Sequence, residues 1–120
     1  MIGRVLAVDY GQKRTGLAVS DPLGIIASPL PAVVTEDLQA TVAVIVEAVR
    51  TRDVKAVVVG MPYLPDGREG SAVQIVRLFL GALRPALPAQ VELHERDERH
   101  TTHEARSLLR DGGLNRKQAK

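Results

Sequence analysis

The seven residues "KAVVVGM", 55 to 61, form an apolar run, unbroken after Lys55, between two stretches of helical periodicity. Such a run reads as a strand covered on both faces, expected at the centre of a sheet. A strand entered and left through helices needs crossover connections, so parallel strand pairs and an α/β fold are expected. Upstream, Leu38, Val42, Ile45, Val46 and Val49 recur at helical spacing, with Thr35 as the expected N-cap and Glu36 and Asp37 in the first turn. Downstream, the polar loop "PYLPDGREG" leads into a helix packing through Ala72, Ile75, Val76, Phe79 and Leu83. Ser71 and Gln74 are placed as its capping box, and Pro85 as its stop.

The flanks complete the order. "RVLAVD" (4–9) and the run beginning "TGLAVSD" (15–21) are joined by the turn-forming "GQKR" and predict a β-hairpin. "GIIASPLPAVVT" (24–35) is broken by Pro29 and Pro31, which suits an edge strand. "QVEL" (90–93) begins a further strand. Thr101 and Glu104 then form a capping box for a helix with Ala105, Leu108 and Leu109 inward and Gly112 as C-cap. The expected order is βββαβαβα: three antiparallel strands, then two parallel ones, in a five-stranded mixed sheet flanked by helices. At 120 residues the chain supplies one hydrophobic core and hence one domain. The closing "NRKQAK" lacks an apolar face and reads as an unfinished helix or a basic tail.

Composition narrows the chemistry. With no cysteine there is no disulfide framework, no thiol nucleophile and no cysteine zinc site, so metal binding would rest on oxygen or histidine ligands. No secretory signal pattern opens the chain, and its apolar runs stop well short of the ~20 residues of a membrane span, so a cytoplasmic protein is expected. A net charge of +2, a pI near 9.3 and the predominance of arginine among the cations lean toward an anionic partner. Tyr10, Tyr63 and Phe79 are the only aromatic residues, too few for a base-stacking sheet face. Arginine and lysine can still follow a phosphate backbone.

Alternation along the first strand sets Val5, Ala7 and Asp9 on one face, and a carboxylate on a covered face is costly unless paired, hydrogen-bonded or metal-bound. Taken singly, Asp9 suits the cap of the Gly11 turn. A second acidic cluster, "RDERHTT" (96–102), shifts the balance, because Asp97 and Glu98 follow a strand expected to run parallel to the first. Both acidic ends would emerge at the carboxyl edge of the sheet, where open α/β sheets bind ligands. Carboxylates converging there could hold divalent cations for phosphodiester cleavage. The competing reading of "DER" is a helix start that complements the dipole. Lys13 and Arg14 beside Asp9, and Arg96 and Arg99 around the second cluster, suit a phosphate backbone, although each is also explained as an ordinary surface cation. His94, His100 and His103 lack a third ligand fixed by spacing and read as surface histidines, with His100 a candidate proton shuttle. Asp66-Gly67 is a turn signal first and a substrate-contacting loop second.

Three stretches in this order, "DYGQKRTGLAVSDP", "VVVGMPYLPDGREG" and "DERHTTHEA", resemble the YqgF/RuvX family of RNase H-like proteins, the family of Holliday junction resolvases and pre-16S rRNA nucleases. The resemblance spans nearly the whole chain. It implies an RNase H-like fold and a nuclease dependent on Mg²⁺ or Mn²⁺, acting on branched DNA or structured RNA. It also implies Asp9 as a catalytic metal ligand and Asp97 or Glu98 as the second, Glu98 being preferred; Lys13, Arg14, Arg99 and Thr101 are then the expected substrate contacts. The chain departs from the pattern at "LHERDER", which is longer, and at His100, where the family is apolar. The family's third catalytic aspartate lies on a helix beyond a stretch like "RKQAK", and this sequence ends at Lys120. Residues 1–120 are therefore expected to form one RNase H-like domain without its C-terminal helix, with an incomplete carboxylate set and an exposed apolar patch. A two-fold junction would favour a homodimer. Two other functions stay open: a nucleic-acid-binding module without catalysis, and a nucleotide-binding domain of the actin-like ATPase type, which Asp-x-Gly with a basic loop also resembles.

Overall fold

The computed structural model describes residues 3–98. The expected helix at 101–112, with Thr101, Glu104, Ala105, Leu108, Leu109 and Gly112, lies outside them, as do Arg99, His100, His103 and the basic tail. Strands β1 (Arg4–Asp9), β2 (Arg14–Ser20) and β3 (Ala27–Val34) are followed by helix α1 (Leu38–Thr51), strand β4 (Val54–Met61), helix α2 (Ser71–Leu83) and strand β5 (Glu92–Asp97). The sheet order is β3-β2-β1-β4-β5, with β1–β2 and β2–β3 antiparallel and β1–β4 and β4–β5 parallel. This is the expected five-stranded RNase H-like sheet. The centre belongs to β1, however, and β4 lies one place off it, because two strands stack beyond β1 on the hairpin side. The proline-bearing β3 does occupy an edge, where a missing N–H interrupts no ladder.

The core lies between one sheet face and the two helices. Leu6, Val8, Leu17, Val19, Val57, Val59 and Met61 from the strands meet Val42, Ile45 and Val49 of α1 and Val73, Val76, Phe79, Leu80 and Leu83 of α2. The α1 stripe is the expected one, with Leu38 and Val46 half-buried at its margins. The α2 stripe is turned relative to expectation: Val73 and Leu80 are buried, Ile75 is half-buried and Ala72 is exposed.

Both caps expected for the two described helices are replaced. Thr35 does not cap α1, because its amide donates to the Lys13 carbonyl (3.1 Å) and keeps it in register with the sheet. The cap is Asp37, whose Oδ1 accepts from Gln39 N (3.0 Å) and Ala40 N (3.4 Å), while Thr35 Oγ1 accepts from Asp37 N (3.1 Å). Neither Glu36 nor Asp37 therefore falls within the first turn. Asp37→Ala is expected to cost about 1 kcal/mol, read as a lower urea midpoint at unchanged slope. At α2 the cap is Gly70 without a side-chain bond, and the Gln74 amide turns to Glu69 Oε1 (3.3 Å) instead of completing a box with Ser71.

Strand β5 differs most from expectation. It starts at Glu92 and continues through "HERD" to Asp97, so Asp97 belongs to the strand and not to a connection. Parallel pairing from Ala56↔Glu92 to Met61↔Asp97 holds this charged segment extended.

Candidate functional site

Asp9 ends the central strand at the carboxyl edge of the sheet. Leu6 and Val8 point to the helices, while Ala7 and Asp9 alternate to the other face, where both are exposed. Desolvation is thus not what this carboxylate has to overcome. Nor is Asp9 the turn cap: the Gly11 amide donates to Thr15 Oγ1 (3.4 Å), and that hydroxyl donates back to the Gly11 carbonyl (3.2 Å). Thr15 is fully buried, which anchors the turn without using Asp9. Tyr10 turns back to the helix side and stacks on the buried Phe79 of α2, with ring centroids 4.2 Å apart and planes 8° from parallel. That stack pins the residue after Asp9 and so fixes where β1 ends.

Both neighbouring strands offer glycine beside Asp9. On β2 its register partner is Gly16, where an added Cβ would stand 3.7 Å from the Asp9 Cβ. On β4, Val59 pairs with Val8, so the next residue, Gly60, flanks Asp9. A Cβ at Gly60 would collide with Glu98, lying 2.9 Å from its Cγ and 2.8 Å from its Cδ. The Glu98 side chain therefore lies across the bare backbone of Gly60, toward Asp9. Gly60 sits inside β4, and its close approach to Glu98 is its structural role.

Register separates the two acidic candidates. Asp97 pairs with Met61, which is fully buried on the helix side, whereas Glu98 follows by alternation on the Asp9 side. Glu98 is half-buried, and burial first, then the negative charge of Asp9, push its carboxyl above the usual glutamate range. The folded protein thus holds this proton more tightly than the unfolded chain. Stability from that difference is complete below the unfolded value of about 4.3 and is lost as pH rises through the raised folded value. In a chelator, Glu98→Gln is therefore expected to match wild type near pH 4 and to melt higher than wild type at neutral pH. A thermal melting series across pH 4–8 checks this.

Other expected site residues sit around this pair. Lys13 on the β1–β2 turn and Arg14, the first residue of β2, are exposed at the same edge, and Arg96 pairs in register with Gly60. Arg99 and Thr101 lie outside the described residues. Asp66-Gly67 forms a turn at this edge, closed by Gly67 N to Leu64 O (2.8 Å) and Arg68 N to Asp66 Oδ1 (3.0 Å). His94 Nε2 is bonded to Glu92 Oε1 (2.8 Å) on the exposed strand edge. Among the described residues no group of three or more His, Cys, Asp or Glu side chains gathers as a metal site, and no helix is long and apolar enough to cross a membrane. Sequence reasoning missed Gly16, Gly60 and Tyr10. The available signal was two glycines inside apolar strands, which mark close approach of another group.

Comparison with known proteins decides the family. Residues 3–120 match the family described as RuvX: Holliday junction resolvase. The chain belongs to this family. A relative in Amoebophilus asiaticus, named "Putative pre-16S rRNA nuclease", is 37% identical over 116 residues, covering 97% of this chain and 79% of the relative. The fold is similar to that of T. thermophilus RuvC, solved in complex with Holliday junction substrate, at a TM-score of 0.63 and 19% identity, over 94% of this chain and 80% of that one. A glucokinase from Balamuthia mandrillaris, in complex with glucose, shares the fold at a TM-score of 0.51 and 14% identity, over 94% of this chain and only 34% of its own. The chain thus shares its fold with that RuvC and with about a third of that glucokinase.

Proposed function

We propose that this RuvX-family chain is a cytoplasmic, divalent-metal-dependent nuclease hydrolysing phosphodiester bonds in structured nucleic acid, either branched DNA at a Holliday junction or the precursor of 16S rRNA. The observation that carries this reading is the Glu98 carboxylate lying over Gly60 toward Asp9, two acidic groups held together at the carboxyl edge of the sheet. Their donor set fits Mg²⁺ or Mn²⁺, hard cations bound through one or two carboxylates, with water and substrate phosphate filling the remaining positions. When bound, such a cation supplies an activated water and offsets charge on the leaving oxygen.

The chain's own residues do the rest. Asp9 and Glu98 would hold the cation, and the bare backbone of Gly60 leaves the room that brings the Glu98 side chain beside Asp9. Asp97 faces away by register and is assigned no ligand role. Lys13 and Arg14, both exposed at the hairpin end, orient the incoming backbone by charge. Arg99 and Thr101, one and three residues after Glu98 in sequence, complete the proposed substrate contacts. A symmetric junction would be served by two copies of the chain.

The test is a cleavage panel of four-way junction DNA, linear duplex and structured RNA, with Mg²⁺ or Mn²⁺ and with chelator. Cleavage of the branched or structured substrates that disappears on chelation is expected. Salt-sensitive binding that survives chelation, with no cleavage in any metal, would instead identify a non-catalytic binding module.

A further inference from the structure

The loop from Pro62 to Gly70 leaves β4 at the edge where Asp9 and Glu98 meet, and it is a formed structure. Leu64 N donates to Arg68 O (3.0 Å), Gly67 N to Leu64 O (2.8 Å) and Arg68 Nε to Asp66 Oδ2 (2.6 Å). Gly67, at φ 91°, supplies the left-handed backbone that the turn requires. The Arg68 side chain at its tip is 76% exposed.

One side chain holds both ends of this loop. Arg77 of α2 donates from Nε and Nη2 to the two carboxylate oxygens of Glu69 (3.0 and 2.8 Å) and from Nη2 to the Tyr63 hydroxyl (3.4 Å). Its Nη1 also faces Glu95 of β5 (3.7 Å), three residues before Glu98. The hydrogen bond from Arg77 keeps the Glu69 carboxyl below the usual range. Half-exposed ion pairs contribute little to stability, typically ~0–1 kcal/mol. What a forked guanidinium adds is fixed geometry. Arg77 thus joins the start of the loop, its end and the strand leading to Glu98.

We propose that Arg77 is a positioning residue that fixes the 62–70 loop as one wall of the nucleic-acid site. The proposal rests on the nuclease reading and extends it to how the substrate is seated. The outer side of Arg77 lines an open groove with Leu80, Gly81, Arg84 and Glu95, so Arg77→Met keeps the stem and opens no core cavity.

Two measurements on the full chain test it. By amide hydrogen exchange, Arg77→Met is expected to speed exchange at Leu64, Gly67 and Arg68 about tenfold, leaving Val57 and Val59 unchanged. On four-way junction DNA and structured RNA with Mn²⁺, KM is expected to rise about tenfold and kcat to stay within about twofold, because the loop binds ground and transition states alike. Glu69→Gln, which alters the loop partner alone, should reproduce both effects in weaker form. Arg77→Lys should recover part of the KM. Loop exchange unchanged in both Arg77→Met and Glu69→Gln overturns the brace. A loosened loop with unchanged KM overturns its place in the site. If wild type cleaves nothing in any metal, the nuclease reading and the wall fall together, while the exchange data still decide whether Arg77 holds the loop.

Discussion

Asp9→Asn is expected to lower metal-dependent cleavage by about a thousandfold or more while leaving the circular dichroism spectrum and melting cooperativity unchanged. Loss of one charged ligand removes several kcal/mol of transition-state stabilisation, and each 1.36 kcal/mol is tenfold in rate. The fold should tolerate the change because Asp9 is exposed and the hairpin turn is closed by Thr15. Asparagine also relieves the repulsion felt by Glu98. Asp97→Asn is the internal control: paired with Met61 on the helix side, it should retain cleavage within a few-fold, whereas Glu98→Gln should lose it as Asp9→Asn does. Full activity in Asp9→Asn would remove the basis of the metal-site reading.

Phe79→Ala is expected to cost about 3–5 kcal/mol, the range for emptying a buried aromatic site. A domain of this size has only about 5–15 kcal/mol in total, so the variant should be partly unfolded at 37 °C. Phe79 is fully buried at the centre of the α2 stripe and carries the stacked ring of Tyr10. The damage should therefore reach the end of β1 as well as the core. Phe79→Leu retains most of the volume and loses the stack, and it separates the two effects. Its melting temperature should fall far less than that of Phe79→Ala, while cleavage per folded molecule should still decrease because the residue after Asp9 is no longer pinned. Denaturant unfolding and a cleavage assay on the same samples read both. An unchanged cleavage rate in folded Phe79→Leu would show that the Tyr10 stack does not position Asp9.

How much was legible in the sequence depends on what each element is built from. The hairpin, the edge strand with Pro29 and Pro31, α1 and β4 were readable because apolar periodicity and proline act locally. The α1 cap moved from Thr35 to Asp37 because the Thr35 amide is held by Lys13, a partner that sequence spacing does not reveal. β5 was cut short in the sequence reading because "HERD" has no apolar face, and only backbone pairing with β4 keeps it a strand.

The candidate site divides in the same way. The sequence by itself determined that Asp9 ends an apolar strand, that an acidic pair stands at the end of a later parallel strand and that basic residues accompany both, since these follow from residue order and strand direction. Tertiary structure alone decided which carboxylate meets Asp9. Side chains alternate along a strand, so a shift of one residue exchanges its faces. Pairing of Met61 with Asp97 fixes the register, turns Asp97 to the helices and lays Glu98 across Gly60.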